Sequence, residues 1–168
     1  MLLKTILNFL LFTLAFSKNL WVKCIMHQPD FGNFEYCKIT KNTKNLTGLS
    51  FHLKLHQLPV TNCLAHVEFH YLTATRRPIV PVNSTWDACK FMANRKRFIA
   101  FEALFKIVGP ATNLNHTCPY NHDIIGKNLV FDMDRIPFPV LPGQYIIKSS
   151  YFINNDKKLS INVGGRVI

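Results

Sequence analysis

The residues of this chain that could do chemistry are its histidines and cysteines, and they fall into three sets. His116, Cys118 and His122, in NLNHTCPYNH, are metal-ligand types at short spacing. His52 and His56 alternate with apolar residues along one stretch, and His66 and His70 do the same along the next. If the two pairs met, they could bind a metal or act as acid and base on phosphate. The third set, Cys24, Cys37, Cys63, Cys89 and Cys118, could form disulfides. The first stretch also contains a glycan acceptor triplet, Asn115-His116-Thr117. The compartment decides among these chemistries.

The N-terminus, MLLKTILNFLLFTLAFS, speaks to that compartment. Lys4 supplies a positive charge, Ile6 to Phe16 is apolar apart from Asn8 and Thr13, and Ala15 and Ser17 are small residues two apart. This is the grammar of a secretory signal peptide. The apolar run of about eleven residues is too short to span a bilayer, which takes roughly twenty. We therefore expect residues 1–17 to be a signal peptide, residues 18–168 to be one mature, soluble domain, and the protein to be secreted. Outside the cell thiols oxidise, so Cys/His spacings indicate metal less often than in the cytosol. No CxxC is present and no second ligand pair has zinc spacing, so no metal or other cofactor is expected. The opening stretch reads as a glycosylated loop ending in a disulfide. Further acceptor triplets begin at Asn45 and Asn83; with Asn115, each is expected in a loop or at an element end.

The formal charge is +11, or about +10 without Lys4. Such a surface favours anionic partners, an acidic membrane among them. The basic residues are scattered, Arg95-Lys96-Arg97 being the densest cluster, and no basic-aromatic motif of a nucleic-acid module is present. Nucleic acid is not an expected partner. Gly-x-Ser-x-Gly, His-Glu-x-x-His and Cys-His-Asn signatures are also missing, so no catalytic residues are assigned.

The elements that must position these residues are mostly strands. In Ser50–Leu58, Phe51, Leu53 and Leu55 alternate with His52, Lys54 and His56, the period of a half-buried strand. In Cys63–Tyr71, Cys63, Ala65, Val67, Phe69 and Tyr71 share one face, and His66, Glu68 and His70 the other. The short connection containing Pro59 and Asn62 predicts an antiparallel hairpin of these two runs. Tyr145–Ile153 and Lys158–Val163, joined by Asn154-Asn155-Asp156, predict a second hairpin. Shorter strands are expected near residues 20–26, 34–39 and 124–131. The middle of the chain differs. Ser84-Thr85-Trp86-Asp87 resembles a capping box, and Phe98, Phe101, Phe105 and Val108 recur at helical spacing until Gly109-Pro110. One or two helices are expected over residues 85–93 and 96–108. The predicted fold is mainly β: an antiparallel two-sheet sandwich with a short helical excursion.

Five cysteines leave at least one unpaired, and any choice of the odd one leaves three ways to pair the rest. Cys63 lies on the apolar face of a predicted strand, which favours a buried, inert thiol. The simplest assignment is Cys24–Cys37 between two early strands and Cys89–Cys118 between the first helix and the loop after the second.

Taken in order, the signal peptide, the Cys24…Cys37 pair, Trp86-Asp87-Ala88-Cys89, Asn113-x-Asn115-His116-Thr117-Cys118-Pro119-Tyr120 and Pro142-Gly143-x-Tyr145 look familiar. The pattern resembles a large family of small secreted insect proteins of unknown function, itself distantly similar to the ML lipid-recognition domains. The resemblance covers nearly the whole mature chain. It implies an immunoglobulin-like, ML-like sandwich whose sheets splay apart to hold a lipid or other apolar small molecule. Cys63 departs from the family pattern.

Two readings of function follow. The first is a secreted, non-catalytic carrier or co-receptor for an apolar ligand. Its cavity would be lined by strand residues Phe51, Leu53, Leu55, Val67, Phe69 and Tyr71, by helix residues Phe101 and Phe105, and by Tyr145, Ile147 and Tyr151 of the late hairpin. The second is an extracellular interaction protein with a solid core, in chemosensory or reproductive signalling, meeting a receptor through its basic, glycosylated surface.

Overall fold

β-branched and aromatic residues recur in Lys18–Met26, Gly32–Lys41, Thr47–Leu55, Leu64–Leu72, Gly143–Ile153 and Asp156–Val167, and these segments form strands. The computed structural model describes residues 18–41, 47–72, 78–130 and 141–167. The predicted leader and Asn45 lie outside them.

Among the described residues eight strands form two antiparallel sheets. The larger contains β1 (Lys18–Met26), β8 (Asp156–Val167), β7 (Gly143–Ile153), β4 (Leu64–Leu72) and β5 (Pro78–Asp87), in that spatial order. The smaller contains β2 (Gly32–Lys41), β3 (Thr47–Leu55) and β6 (Ile124–Leu129). Between β5 and β6 run α1 (Ala88–Ala93), a 3₁₀ turn at Arg95–Arg97, α2 (Ile99–Val108) and a second 3₁₀ turn at Gly109–Ala111. The predicted mainly β sandwich with a helical excursion is the observed architecture.

The sheets pack over a core of Phe31, Leu49, Phe51, Leu53, Leu55, Leu129, Ile153, Leu159, Ile161 and Val163. Cys24–Cys37 joins β1 to β2, so it pins the two sheets along one edge. Cys89–Cys118 ties the start of α1 to the loop before β6 along the other. Both bridges are the predicted ones; each is worth about 3–4 kcal/mol on loop-entropy grounds. No helix among the described residues is long and apolar enough to cross a membrane.

The predicted hairpin of β7 and β8 forms, with Asn154 and Asn155 at φ 51° and 67°. Two successive left-handed residues suit the two-residue turn whose twist matches the strands, and Asn tolerates that conformation. The other predicted hairpin does not form. β3 pairs with β2 and β6, whereas β4 pairs with β5 and β7 in the opposite sheet. Within the connection, Val60 exchanges backbone hydrogen bonds with Tyr120 at 2.9 and 3.0 Å, which carries the chain across to the other layer. Alternation tells which side chains point inward, not which sheet a strand joins.

Four further corrections concern residues 63–93. β5 was not anticipated; it carries Pro78 and Pro81 and is an edge strand, where proline is tolerated. Ser84 is not the helix cap: it lies in β5 opposite Val67. The helix starts at Ala88 instead, with Asp87 as cap, its carboxylate accepting the Lys90 N–H at 2.9 Å. Asn83 therefore lies inside a strand rather than in a loop or at an element end, exposed on the outward side of the sheet edge. Asn115 is exposed in a loop, as expected. Cys63 stands just before β4 rather than within it.

Candidate functional site

The larger sheet has two more strands than the smaller, and this mismatch creates the site. β1 is bridged to β2 at one edge of the sandwich, and among the described residues β4 and β5 lie at the far end of the larger sheet. Registers place Val67, Phe69 and Tyr71 of β4, Tyr145 and Ile147 of β7 and Trp86 of β5 on the inward side of the larger sheet. Apart from Ala65, which is buried, this part of the face is only half-buried. By contrast Phe51, Leu53 and Leu55 are closed off, Phe51 being 6% exposed.

At the end of the sandwich where β4 finishes and β7 begins, Tyr145 packs against Phe69 and Tyr71, ring centroids 5.4 and 5.0 Å away. Their hydroxyls are held locally. Tyr71 donates to the Pro142 carbonyl at 3.0 Å and Tyr145 to the Leu141 carbonyl at 2.6 Å. Gly143 has φ +156°, and a Cβ there would overlap the Tyr71 ring. Pro142-Gly143-x-Tyr145 thus builds an aromatic corner, and glycine is the residue that lets the Tyr71 ring lie against the chain. Burial raises the Tyr145 phenol above its ordinary value.

At the other end of β4 lies an aromatic stack. Trp86 stacks on Phe101 at 4.0 Å, and buried Phe91 touches Trp86, Phe98, Phe101 and Phe105 edge-on or tilted. Arg95 lies over the Phe105 ring. Among the described residues the buried Trp86 Nε1 and Glu102 Oε2 lack hydrogen-bond partners. Arg95 Nε stands 3.7 Å from Glu102 Oε2, an ion pair but not a hydrogen bond.

The structure thus sorts the eleven predicted lining residues. Phe51, Leu53, Leu55 and Tyr151 belong to or pack against the closed core. Val67, Phe69, Tyr71, Tyr145 and Ile147 form the half-buried sheet face, and Phe101 and Phe105 join the stack beneath the helices. Trp86, which sequence reasoning noted beside the cap and in the Trp-Asp-Ala-Cys element but not among the lining residues, is the inward residue of β5 within that stack. Its signal was the alternation Val82, Ser84, Trp86, preceded by Pro78 and Pro81.

The histidines do not gather into one centre. His52 donates to Asp123 at 2.8 Å on the smaller sheet, and Asp123 also accepts the Leu55 N–H at 3.0 Å. These bonds hold the Asp123 carboxyl below its ordinary value, the Leu55 N–H contributing most. His66 and His70 flank Glu68 on the outer face of the larger sheet, at 3.2 and 2.6 Å, and depress its carboxyl, His70 first. Cys118 is consumed by its disulfide, which removes it from the His116/His122 stretch as a ligand. Cys63 carries a thiol pushed up to about 12, chiefly by burial and then by the Asp87 charge.

No curated protein matches the chain. Residues 65–147, from β4 through the helical excursion into β7, match the family model described as "Protein of unknown function (DUF1091)". The match includes the Trp86–Cys89 and Asn113–Tyr120 elements and the Pro-Gly-x-Tyr corner, and it stops short of β1 to β3, a narrower span than the whole mature chain. Residues 65–147, which carry β4 and β5, the aromatic stack and the corner, are thus similar to this family of unknown function.

Proposed function

We propose that the protein is a secreted, non-catalytic carrier or co-receptor for a lipid or other small apolar ligand, working as ML-like sandwiches do. The observation that carries this reading is the contrast between the buried core under β2, β3 and β6 and the half-buried inward face of β4, β5 and β7. Apolar side chains that a solid core would cover are left to be covered by a guest. Burying Phe69, Tyr71, Tyr145 and Ile147 further would release apolar surface from water, each fully buried large side chain being worth about 1.5–3 kcal/mol. The Trp86 N–H is a donor available to the polar end of a guest, and leaving it unpaired costs about 1–3 kcal/mol. The net charge of +11 favours an anionic head group or an anionic membrane as the source of the ligand. The two disulfides accord with an oxidising, extracellular setting.

The test is to incubate the purified protein with a lipid extract, re-isolate it and identify bound molecules by mass spectrometry. A recovered lipid that is lost in Phe69→Ala with Tyr145→Ala supports the carrier reading, and recovery of nothing from the folded protein defeats it. A second reading has its own observation. Ile79, Val80 and Val82, 51%, 42% and 38% exposed, lie on edge strand β5. They suit an extracellular protein partner added at that edge, in an interaction protein with no ligand.

A further inference from the structure

His116 and His122 were set aside as metal ligands once Cys118 was assigned to a disulfide, but their geometry singles them out again. His116 Nδ1 lies 2.7 Å from the Thr117 carbonyl oxygen, and His122 Nδ1 lies 2.7 Å from the Asp123 carbonyl oxygen. A carbonyl can only accept, so His116 carries its hydrogen on Nδ1, and the shorter contact to the Asp123 carbonyl favours the same tautomer for His122. Asn113 Nδ2, 3.0 Å from His122 Nδ1, donates to the same Asp123 carbonyl at 2.7 Å. The free lone pair of each neutral ring is therefore on Nε2, and the two Nε2 atoms face each other at 2.8 Å. Two lone pairs at that distance repel unless a proton or a metal ion lies between them.

We propose that His116 and His122 form a two-histidine site for an imidazole-seeking divalent transition-metal ion, Cu²⁺ foremost. Metal-binding histidines typically anchor their other nitrogen on a carbonyl or carboxylate, as both do here. An ion bound at about 2.0 Å by two nitrogens about 2.8 Å apart subtends about 90°, the cis angle of a tetragonal Cu²⁺ site. The ring centroids are 5.1 Å apart, so each ring must swing to aim at a shared ion, and exposed His116 has room to do so. The loop itself is fixed. Cys118 is bridged to Cys89, the Tyr120 hydroxyl donates to the His116 carbonyl at 2.7 Å, and Asn113 accepts the Ile125 N–H at 2.8 Å. Among the described residues no three His, Cys, Asp or Glu side chains gather as a metal site. The protein supplies two donors, and water completes the coordination through the exposed side of Asn115–Thr117.

Isothermal titration of the purified full chain with Cu²⁺, with electron paramagnetic resonance of the complex, tests this independently of the carrier reading. One ion per chain with two nitrogen couplings is expected. His116→Ala, an exposed change that leaves the melting temperature in place, should weaken binding at least tenfold. Asn113→Ala should weaken it about tenfold through loss of positioning, while His66→Ala with His70→Ala should leave it unchanged. Failure of Cu²⁺ to bind, binding undiminished in His116→Ala, or binding lost only in the His66/His70 variant would each overturn the assignment.

Discussion

The two halves of the sandwich interior are built from the same alternating pattern and end in different states. Under β2, β3 and β6, apolar residues of both sheets meet face to face, and Phe51, Leu53, Leu55, Leu159 and Ile161 are buried. Under β4 and β5 the same kind of residues, Val67, Phe69, Tyr71 and Tyr145, stay half-buried. Among the described residues the two layers are unequal, five strands on one side and three on the other. Alternation makes a face apolar, but only a facing layer makes it core. An apolar face without one is where affinity for a guest can arise at little cost to the fold.

Four measurements would break or sharpen this contrast. The largest effect is expected in the closed half: Phe51→Ala should cost about 3–5 kcal/mol in chemical denaturation, by loss of transfer energy and creation of a cavity. In the open half, Phe69→Ala should cost only about 1–2 kcal/mol, because less area returns to water, yet it should reduce capture of a fluorescent fatty acid more than Phe51→Ala does in protein that is still folded. Equal stability losses at the two positions would mean that the halves are alike.

Acid provides a smaller effect. The Glu68 and Asp123 carboxyls sit below their ordinary values, through His70 and His66 in one case and the Leu55 N–H and His52 in the other. Their contribution to stability is present above the unfolded values of about 4 and is lost as pH falls through the lower folded values. Urea midpoints should therefore drop below about pH 4, and Asp123→Asn should flatten part of that drop; a midpoint independent of pH would contradict the two pairings. The smallest effect concerns Cys63. With its thiol raised to about 12, it is protonated at neutral pH. Ellman's reagent should react with it slowly in the native state and fully after unfolding. Rapid native reaction would place Cys63 in the open half instead of beside the core. Since the folded value lies above the unfolded one of about 8.5, this group's contribution to stability is intact below that pH and fades as pH rises towards 12.

Much of the fold was legible locally. The β7–β8 hairpin was readable from Asn154-Asn155-Asp156 between apolar runs, and the inward positions of β3 and β4 from their period of two. Both disulfides followed from the positions of cysteines on predicted elements. β5 was illegible because its prolines conceal an edge strand. The cap was misplaced by three residues because Ser84 and Asp87 both suit it, and only the pairing of Ser84 with Val67 decides. Of the candidate site, the sequence named the apolar side chains but merged two regions into one list, and it passed over Trp86.

By itself, the order of residues determined periodicity, turn chemistry and cysteine placement, because these depend on neighbours a few positions apart. Only the tertiary structure decided that β3 and β4 lie in opposite layers, that the histidine pairs of the two strands stay apart, and that the inward face of β4 is left half-buried. Those outcomes depend on which distant strands share hydrogen bonds, and the inward face of a strand is equally apolar whichever sheet it joins.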